Sequence, residues 1–225
     1  MRRLADLLLP ASCLLCGADS DGGALCAGCA GDLPPLPAAH CPQCAEQTTH
    51  GERCGACLKD PPAFGRCSAL FRYEFPVDRA IQALKYGHQL ALAAWFGERH
   101  ADTLQNSRYD RVMPLPLHAE RLRDRGFNQS AEIARVLARR LRLPLDLASL
   151  ARRRATPAQA ALPLRERARN VRGAFECTTS LAGLRILLVD DVMTTGATLR
   201  EAARIVSLHG ATQIDVAVVA RALRL

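Results

Sequence analysis

Four C-x-x-C pairs within the first 57 residues constrain the fold of this chain most strongly. The pairs are Cys13/Cys16, Cys26/Cys29, Cys41/Cys44 and Cys54/Cys57. Nine residues separate the first pair from the second, and nine separate the third from the fourth, so the segment is an internal duplication. So short a segment with few large apolar side chains cannot build a sufficient core, whereas two such pairs supply the four thiolates of a structural Zn²⁺ site. We therefore predict two zinc ribbons, with zinc supplying the missing folding free energy.

Other uses of these cysteines are less consistent with the pattern. Disulfides need an oxidising compartment, and a redox motif does not need four copies. Cross-braced pairing, in which the first pair joins the third, stays open, although the equal nine-residue gaps favour sequential pairing. His40 or His50 could replace a cysteine, but eight thiolates suffice for two sites. Cys67 and Cys177 are isolated, and we expect them to be reduced, buried thiols.

The chain length and composition predict a globular protein with one medium domain and a small module. The 225 residues are 49% hydrophobic, but no apolar run approaches the roughly 20 residues of a membrane span. At the N-terminus, Asp6 interrupts the apolar stretch and Pro10 occupies a position unsuited to a lipobox, so we expect residues 4–9 to form a short amphipathic helix in a cytoplasmic protein. Asp60-Pro61-Pro62 is the expected linker between domains at 1–62 and 63–225.

A second constraining stretch, LVDDVMTTGATLREA, lies near the end of the chain. The β-branched and aliphatic run at residues 185–189 predicts a strand buried on both faces, as in a parallel sheet. The apolar spacing at 198–208 predicts a helix that ends before Gly210, and residues 214–219 predict another buried strand. The stretch is therefore the turn of a strand–loop–helix–strand unit, where ligands of open α/β sheets bind.

The residues of this turn suit a phosphate at one end and a chemically different group at the other. A glycine-containing loop that enters a helix presents backbone N–H groups and the positive end of the helix dipole to an anion. Thr194, Thr195 and Thr198 add hydroxyl donors. Asp190 and Asp191 would repel that anion, so they face sugar hydroxyls or a divalent metal. A ribose 5-phosphate has both features.

VDDVMTTGATL resembles the signature for 5-phosphoribosyl-1-pyrophosphate (PRPP) in type I phosphoribosyltransferases. The resemblance implies that Asp190 and Asp191 hold the ribose hydroxyls, with Mg²⁺ accompanying PRPP. It assigns the 5-phosphate to a loop that we call the phosphate loop: Thr194, Thr195, Gly196, Ala197 and Thr198. A response-regulator receiver also ends a strand in adjacent acids, but it carries them near its start and needs a later phosphorylatable Asp and Lys, which the 34 residues after Asp191 do not supply.

The middle of the chain predicts further α/β elements and an excess of positive charge. We expect a strand at 67–75, helices at 77–86, 90–104 and 130–141, and a short strand at 111–113. Trp95 and Phe96 are expected in the core. Between His118 and Phe175 there are fourteen arginines and five acids, a net charge of +9. Such a band suits a polyanionic small molecule or a nucleic-acid backbone.

In their order along the chain, these motifs resemble the ComF family of double zinc ribbons fused to a phosphoribosyltransferase domain. The motifs are the cysteine pairs, LKYG, PLPLH…R…RGFNQ, TPAQ…R…NVRGAF and the PRPP loop; TPAQ departs from the family's frequent TPPQ. The resemblance implies an α/β, parallel-sheet fold of type I. A wider similarity to the glutamine-using amidophosphoribosyltransferases implies that residues 114–125 are a pyrophosphate loop and residues 156–170 a lid. Candidate contacts are Leu115, Pro116, His118, Arg121 and Arg125 in the loop, and Arg169, Asn170 and Arg172 at the lid.

Two functions are consistent with this resemblance. One is an enzyme that transfers a phosphoribosyl group from PRPP to a nitrogen nucleophile and releases pyrophosphate. The other is a non-catalytic factor that binds PRPP or a ribose 5-phosphate nucleotide and handles single-stranded DNA during competence. Scarce aromatic side chains, 4% of the residues, favour phosphate contacts over base stacking in any DNA complex.

Overall fold

The computed structural model describes residues 12–21, 23–105, 108–155 and 169–223. Its helices are α1 (Ala27–Gly31), α2 (Gly55–Lys59), α3 (Val77–Tyr86), α4 (Leu90–Leu104), α5 (Ala119–Arg125), α6 (Gln129–Leu141) and α7 (Ala197–Leu208). Its strands are β1 (Arg66–Arg72), β2 (Arg111–Pro114), β3 (Leu150–Arg152), β4 (Phe175–Cys177), β5 (Arg185–Met193) and β6 (Gln213–Arg221). The helix expected at residues 4–9 and most of the lid expected at 156–170 lie outside the described residues.

The main sheet of the described chain has four strands in the order β1-β6-β5-β2, and every neighbouring pair is parallel. Its central strands are apolar on both faces, as a sheet covered by helices on both sides requires. One face packs on α3, α4 and α6, where Leu187 and Val219 join Ile81 and Ile133. The other packs on α7 and on the antiparallel β3–β4 pair. The predicted parallel α/β fold is confirmed.

Close packing of α4 against α6 depends on Gly97. A Cβ atom at this position would lie 2.8 Å from Val136 Cβ and 2.9 Å from the carbonyl oxygen of Ile133. Glycine therefore lets the two helix backbones approach more closely than any other residue would. The predicted core aromatic Phe96 is fully buried beside Trp95, and the two rings lie edge to face at 5.4 Å.

Three local predictions need correction. The strand expected at 67–75 ends at Arg72. The basic segment expected to be a loop after β2 is the helix α5, which begins after the N-cap His118 and ends at Gly126 in a left-handed conformation. The strand expected to stop at residue 189 continues to Met193, because its pairing with β6 extends to Arg221. Asp190 and Asp191 thus lie within the strand, not in the turn that follows it.

The two ribbons pack on opposite faces of the sheet. Cys13 and Leu25 of the first ribbon (residues 13–29) join the core shared with α3 and α4. Ala45 of the second ribbon (residues 41–57) joins the core shared with α7. The segment between them pairs with β1 through Leu36 and Pro34, which covers that edge of the sheet. Within the described residues, no helix is both long and apolar enough to cross a membrane.

Candidate functional site

The two adjacent acids lie near the carboxyl end of β5, and each contacts a side chain from a different helix. Asp190 accepts a hydrogen bond from Ser130 Oγ at 2.8 Å, and the same oxygen, Oδ1, accepts the amide of Asp191 at 2.9 Å. Asp191 is 4% exposed and lies 2.8 Å from Lys85 Nζ through its Oδ2. Side chains from α3 and α6 therefore hold the two carboxylates in place.

Burial and charge shape the protonation of this cluster. Burial raises the pKa of Asp190 well above its usual range, the neighbouring Asp191 raises it further, and the hydrogen bond from Ser130 and the charge of Lys85 oppose the shift. Burial lowers the pKa of Lys85, but Asp191 more than offsets this, and the pKa lies above its ordinary value. Lys85 therefore carries a proton beside Asp191 at neutral pH, and it partly neutralises the acid pair.

Sequence reasoning assigned no role to Lys85, although a signal was present. Ile81 and Leu84 lie on the buried face of α3, and Lys85, four residues after Ile81, continues that stripe. A lysine on an apolar helical face is almost always paired. Its acidic partner, however, is 106 residues away in the sequence.

The phosphate loop turns sharply from β5 into α7. Gly196, at φ 77°, is the N-cap of α7, and a Cβ there would meet Met193 Sδ at 3.3 Å. Ala197 donates its amide to Thr195 Oγ1 at 3.3 Å. Among the described residues, the backbone amides of Thr194, Thr195 and Gly196 have no acceptor. These amides lie at the positive end of the helix dipole of α7, an arrangement that binds anions.

The segment after β2 lies beside the acid pair. The amide of Leu115 donates to the carbonyl of Val189 at 2.9 Å, and Asn128 Nδ2 donates to the carbonyl of Leu115 at 2.9 Å. This places Leu115, followed by Pro116, next to the strand that carries the acids. His118 has another task, since its Nδ1 accepts the amide of Glu120 at 3.4 Å as the cap of α5.

Arginines surround this edge of the sheet in two different ways. Arg125 donates to Gln129 Oε1 at 2.5 Å and lies 5.1 Å from the centre of the Tyr86 ring, which holds it at the α3–α6 side. Arg152 lies on β3, and burial is the main cause that lowers its pKa. The charge of Arg121 lowers this pKa further, and the charge of Asp190 opposes the shift. The structure thus brings Arg152, which was not a sequence candidate, close enough to Asp190 and to Arg121 for their charges to act on it.

The described contacts of the lid candidates lead to β3 and to α7. Arg154 Nη2 donates to the carbonyl of Asn170 at 3.0 Å and to that of Arg172 at 2.5 Å, which joins the end of β3 to the start of α-helical residues 169–171. Arg169 and Arg172 line a cavity of about 570 Å³ together with two arginines of α7. Their side chains therefore face the flank of α7.

The eight predicted zinc ligands form two tetrads in the sequential pairing that the spacing favoured. They are Cys13, Cys16, Cys26 and Cys29 in one, and Cys41, Cys44, Cys54 and Cys57 in the other, with all Sγ atoms of a tetrad within 4.8 Å of one another. Cys16 and Cys26 Sγ are 3.7 Å apart, and Cys44 and Cys54 Sγ are 3.5 Å apart. A tetrahedron with Zn–S bonds of about 2.3 Å has sulfur–sulfur edges of about 3.8 Å, so both tetrads fit zinc.

Backbone amides prepare one thiol of each tetrad for metal binding. Burial alone would raise the pKa of Cys13, but hydrogen bonds from three backbone amides, that of Cys26 foremost, lower it to about 6. In the second tetrad, Cys41 follows the same pattern and reaches about 7. A thiolate is the form that ligates zinc, so the knuckle geometry favours the ligating state.

Comparisons with known proteins agree with this arrangement. A family model described as a double zinc ribbon domain matches residues 4–58, and a phosphoribosyl transferase domain model matches residues 128–224. The DNA utilization protein YhgH of Escherichia coli (strain K12) is 34% identical over 193 residues, which cover 81% of this chain and 84% of that protein. Competence protein F of Haemophilus influenzae (strain Rd) is 31% identical over 210 residues, 88% of this chain and 90% of that protein.

Among solved structures, a purine phosphoribosyltransferase from Pyrococcus horikoshii Ot3 is similar to 69% of this chain. The match covers 87% of that chain at 19% sequence identity, with a TM-score of 0.34. So low a score carries no weight of its own. The fold assignment rests on the match to the domain model and on the parallel sheet.

Proposed function

Because the chain belongs to the ComF family, in which a double zinc ribbon precedes a phosphoribosyl transferase domain, we propose that it binds PRPP with Mg²⁺ at the carboxyl edge of β5. One observation carries the proposal: the amides of Thr194, Thr195 and Gly196, which have no acceptor among the described residues, follow directly after a carboxylate pair whose Asp191 is buried. An anion site next to a carboxylate pair matches a sugar that carries both a phosphate and a diol. We place this function in the cytoplasm, where thiols stay reduced for zinc.

In the proposed complex, each part of the site binds a different part of PRPP. The 5-phosphate accepts hydrogen bonds from the amides and hydroxyls of the phosphate loop, Thr194 to Thr198. The ribose hydroxyls donate to Asp190 and Asp191, which Ser130 and Lys85 hold in place. The pyrophosphate extends along Leu115 and Pro116 toward Arg121 and Arg152, whose guanidinium groups suit phosphate oxygens.

The acid pair also fits a magnesium ion shared with the substrate. Mg²⁺ prefers oxygen ligands and is bound through one or two carboxylates together with substrate phosphates. Asp190 is the better candidate of the two, since Lys85 already contacts Asp191. When bound, the ion would neutralise charge on pyrophosphate.

The reaction supported by this site is transfer of the 5-phosphoribosyl group to a nitrogen nucleophile. The bond from C1 to the pyrophosphate oxygen breaks, pyrophosphate leaves with the electron pair, and the nucleophile forms a bond to C1. This chain's contribution is to position the sugar and to stabilise the departing charge with Arg121 and Arg152. His118 is committed to capping α5, so we assign it no proton transfer.

Isothermal titration of PRPP with Mg²⁺ tests the binding site. The double variant Asp190→Asn/Asp191→Asn is expected to bind PRPP at least ~100-fold more weakly, because neutral amides accept sugar hydroxyls less strongly than carboxylates. Asp102→Asn is the matched control, since that acid is exposed on α4 and its Oδ1 contacts Arg140 and Gln105 at the surface. Equal affinity of the double variant and the wild type would refute the site assignment.

Turnover requires a separate assay. Pyrophosphate release from PRPP, measured with ammonia, purines and pyrimidines as acceptors, identifies the class of nucleophile. Release that depends on an acceptor and is lost in the Asp190/Asp191 double variant supports an enzyme. PRPP binding without release under any acceptor supports a binding protein.

Single-stranded DNA is a second candidate ligand, favoured by the names of the relatives and by an exposed basic surface. Arg123, Arg135, Arg139 and Arg142 on and after α5 and α6 are exposed. We expect binding that weakens as salt rises, because phosphate contacts release counterions. Filter binding of an oligonucleotide across salt concentrations, with Arg139→Glu/Arg142→Glu as the variant, tests it. No retention of the oligonucleotide at low salt rejects this function.

A further inference from the structure

Arg221, the last residue of β6, lies between the second ribbon and the phosphate loop. Its side chain is 2% exposed. On the ribbon side, Nε donates to the carbonyl of Cys44 at 2.9 Å, and Nη2 contacts Glu46 Oε2 at 2.6 Å. On the loop side, Nη1 donates to the carbonyls of Met193, at 3.0 Å, and Thr194. One guanidinium therefore joins a zinc-ligand residue to the first residue of the phosphate loop.

These contacts require an arginine. A guanidinium is a rigid planar fork whose N–H groups reach acceptors on several sides at once, whereas a lysine ammonium reaches acceptors around a single point. Burying its charge is costly unless an acid compensates it, and Glu46, whose side chain is 15% exposed, is that acid. The ion pair thus spans the boundary between ribbon and sheet in a mostly desolvated position.

Apolar packing between the second ribbon and the loop is interrupted at this point. A cavity of about 560 Å³ separates them, with Cys57 and Phe64 on one side, Gly196 on the other and Arg221 in its wall. A second polar link joins Arg200 of α7 to Asp60 at 3.1 Å, but the Asp60 side chain is 86% exposed. Solvent weakens such a surface pair, so the buried Arg221 contacts connect the ribbon to the loop more firmly.

The geometry points to Arg221 as a positioning residue that couples the second zinc site to the phosphate loop. Zinc fixes the knuckle that contains Cys44, Arg221 is held against that knuckle, and the same guanidinium fixes the Met193 and Thr194 carbonyls. The amides that follow these carbonyls are then oriented toward the bound phosphate. This inference rests on the proposed role of the loop as the 5-phosphate site.

Coupling of this kind is reciprocal. If zinc at the second site favours phosphate binding, a bound phosphate must favour zinc at the second site by the same factor. The first ribbon packs on the other face of the sheet, so its zinc should not respond. One of the two zinc ions, and only one, is therefore expected to bind more tightly when the loop is occupied, and we expect the tighter site to release its zinc more slowly.

The test uses ribose 5-phosphate as the probe, because it engages the loop without pyrophosphate. Zinc release from the full-length wild type into a chromogenic chelator should be biphasic, and saturating ribose 5-phosphate should slow one phase about fivefold or more. In Arg221→Lys the probe should bind about tenfold more weakly and protect neither zinc. Probe affinity within twofold of the wild type, with protection retained, overturns the proposal.

Hydrogen exchange of the phosphate loop separates this proposal from the proposed function. Without any ligand, the amides of residues 194–198 should exchange faster in Arg221→Lys, and also in Cys54→Ser, which removes a second-site ligand. Cys26→Ser, the matched change in the first ribbon, should leave them unchanged. Unaltered exchange in Arg221→Lys refutes the coupling even if the wild type binds PRPP. A wild type that binds neither probe nor PRPP, yet shows this exchange pattern, refutes only the proposed function.

Glu46→Gln serves as a second variant if Arg221→Lys folds poorly. It keeps the guanidinium and its carbonyl contacts but removes the compensating charge. A smaller acceleration of loop exchange, between wild type and Cys54→Ser, is expected. No acceleration in Glu46→Gln together with none in Cys54→Ser would also overturn the proposal.

Discussion

The two zinc ribbons have the same cysteine spacing but different neighbours. The first tetrad packs against the core shared with α3 and α4, and its Cys16 is exposed. The second tetrad lies beside the phosphate loop, and Arg221 contacts the carbonyl of its Cys44. Duplication has therefore produced two similar metal sites whose positions relative to the ligand site differ.

The comparison distinguishes the effect of zinc on the fold of each ribbon from its effect on the domain that contains the main sheet. Each Cys₄ site closes a small knuckle that could not fold without metal. Among the described residues, Arg221 joins only the second knuckle to the segment that turns from β5 into α7. We infer that the first ribbon stabilises one face of the sheet, while the second shapes the candidate site.

Removing a ligand from each zinc site gives the largest expected contrast. Cys54→Ser should lose one zinc per chain and lower the affinity for PRPP by about 100-fold or more, because the loop loses its support. Cys26→Ser should also lose one zinc but change PRPP affinity by less than threefold. Native mass spectrometry counts the zinc ions, and titration calorimetry of the same samples measures PRPP.

Equal losses of PRPP affinity in the two cysteine variants would show that the two ribbons do not differ in their effect on the site. That result would mean that zinc affects PRPP only through global stability. Thermal unfolding of both variants tells the two cases apart, since a global effect predicts equal shifts in the melting temperature along with equal losses of affinity.

Acid should destabilise the protein through the face on which the first ribbon packs, because that face contains His100. This α4 side chain is fully buried and contacts the carbonyl of Val218 at 2.8 Å, and burial lowers its pKa to about 4 from the ordinary 6.5. The folded state therefore binds fewer protons than the unfolded state, so stability falls as pH drops from 6.5 toward 4. Between pH 7.5 and pH 5, the expected loss in the free energy of unfolding is about 2 kcal/mol.

His100→Gln tests this expectation, because glutamine can still donate to Val218 but does not titrate. Urea unfolding at pH 7.5 and pH 5 should show a loss about 2 kcal/mol smaller in the variant than in the wild type. Zinc release in acid affects both proteins alike and cancels in this difference. Parallel losses in the two proteins would rule out His100 as the cause.

The fold followed from the sequence for the longer elements that bury an apolar stripe or run, whereas the three-residue strands β3 and β4 were not predicted. The bounds of α3 and α4, Val77–Tyr86 and Leu90–Leu104, are those predicted. The seven-residue α5 was missed because none of its residues is buried, so it has no apolar period. Its signals are the caps, His118 at the start and Gly126 at the end.

The site was predictable where its chemistry is local in the sequence and not where it is assembled by packing. The cysteine pairs and the segment from Asp190 to Thr198, which spans the end of β5 and the turn into α7, each fall in one short stretch. Ser130 is 60 residues from its partner Asp190, and Arg221 is 177 residues from Cys44. Spacing rules do not reach such distances, so these partners emerge only when helices and sheet are packed together.

The smallest effect concerns Lys85, which contributes to the site from the face of the first ribbon. Its ammonium lies 2.8 Å from Asp191 and offsets the charge of the acid pair. In Lys85→Met the uncompensated carboxylates repel the PRPP anion, and we expect affinity to fall about tenfold, or about 1.4 kcal/mol.

Magnesium should restore more of the lost affinity in the variant than in the wild type, because it supplies the missing positive charge. Arg79→Met, which removes an exposed positive charge from the same helix, is the matched control. Equal PRPP affinities of Lys85→Met and the wild type would show that the diol end of the site does not depend on Lys85.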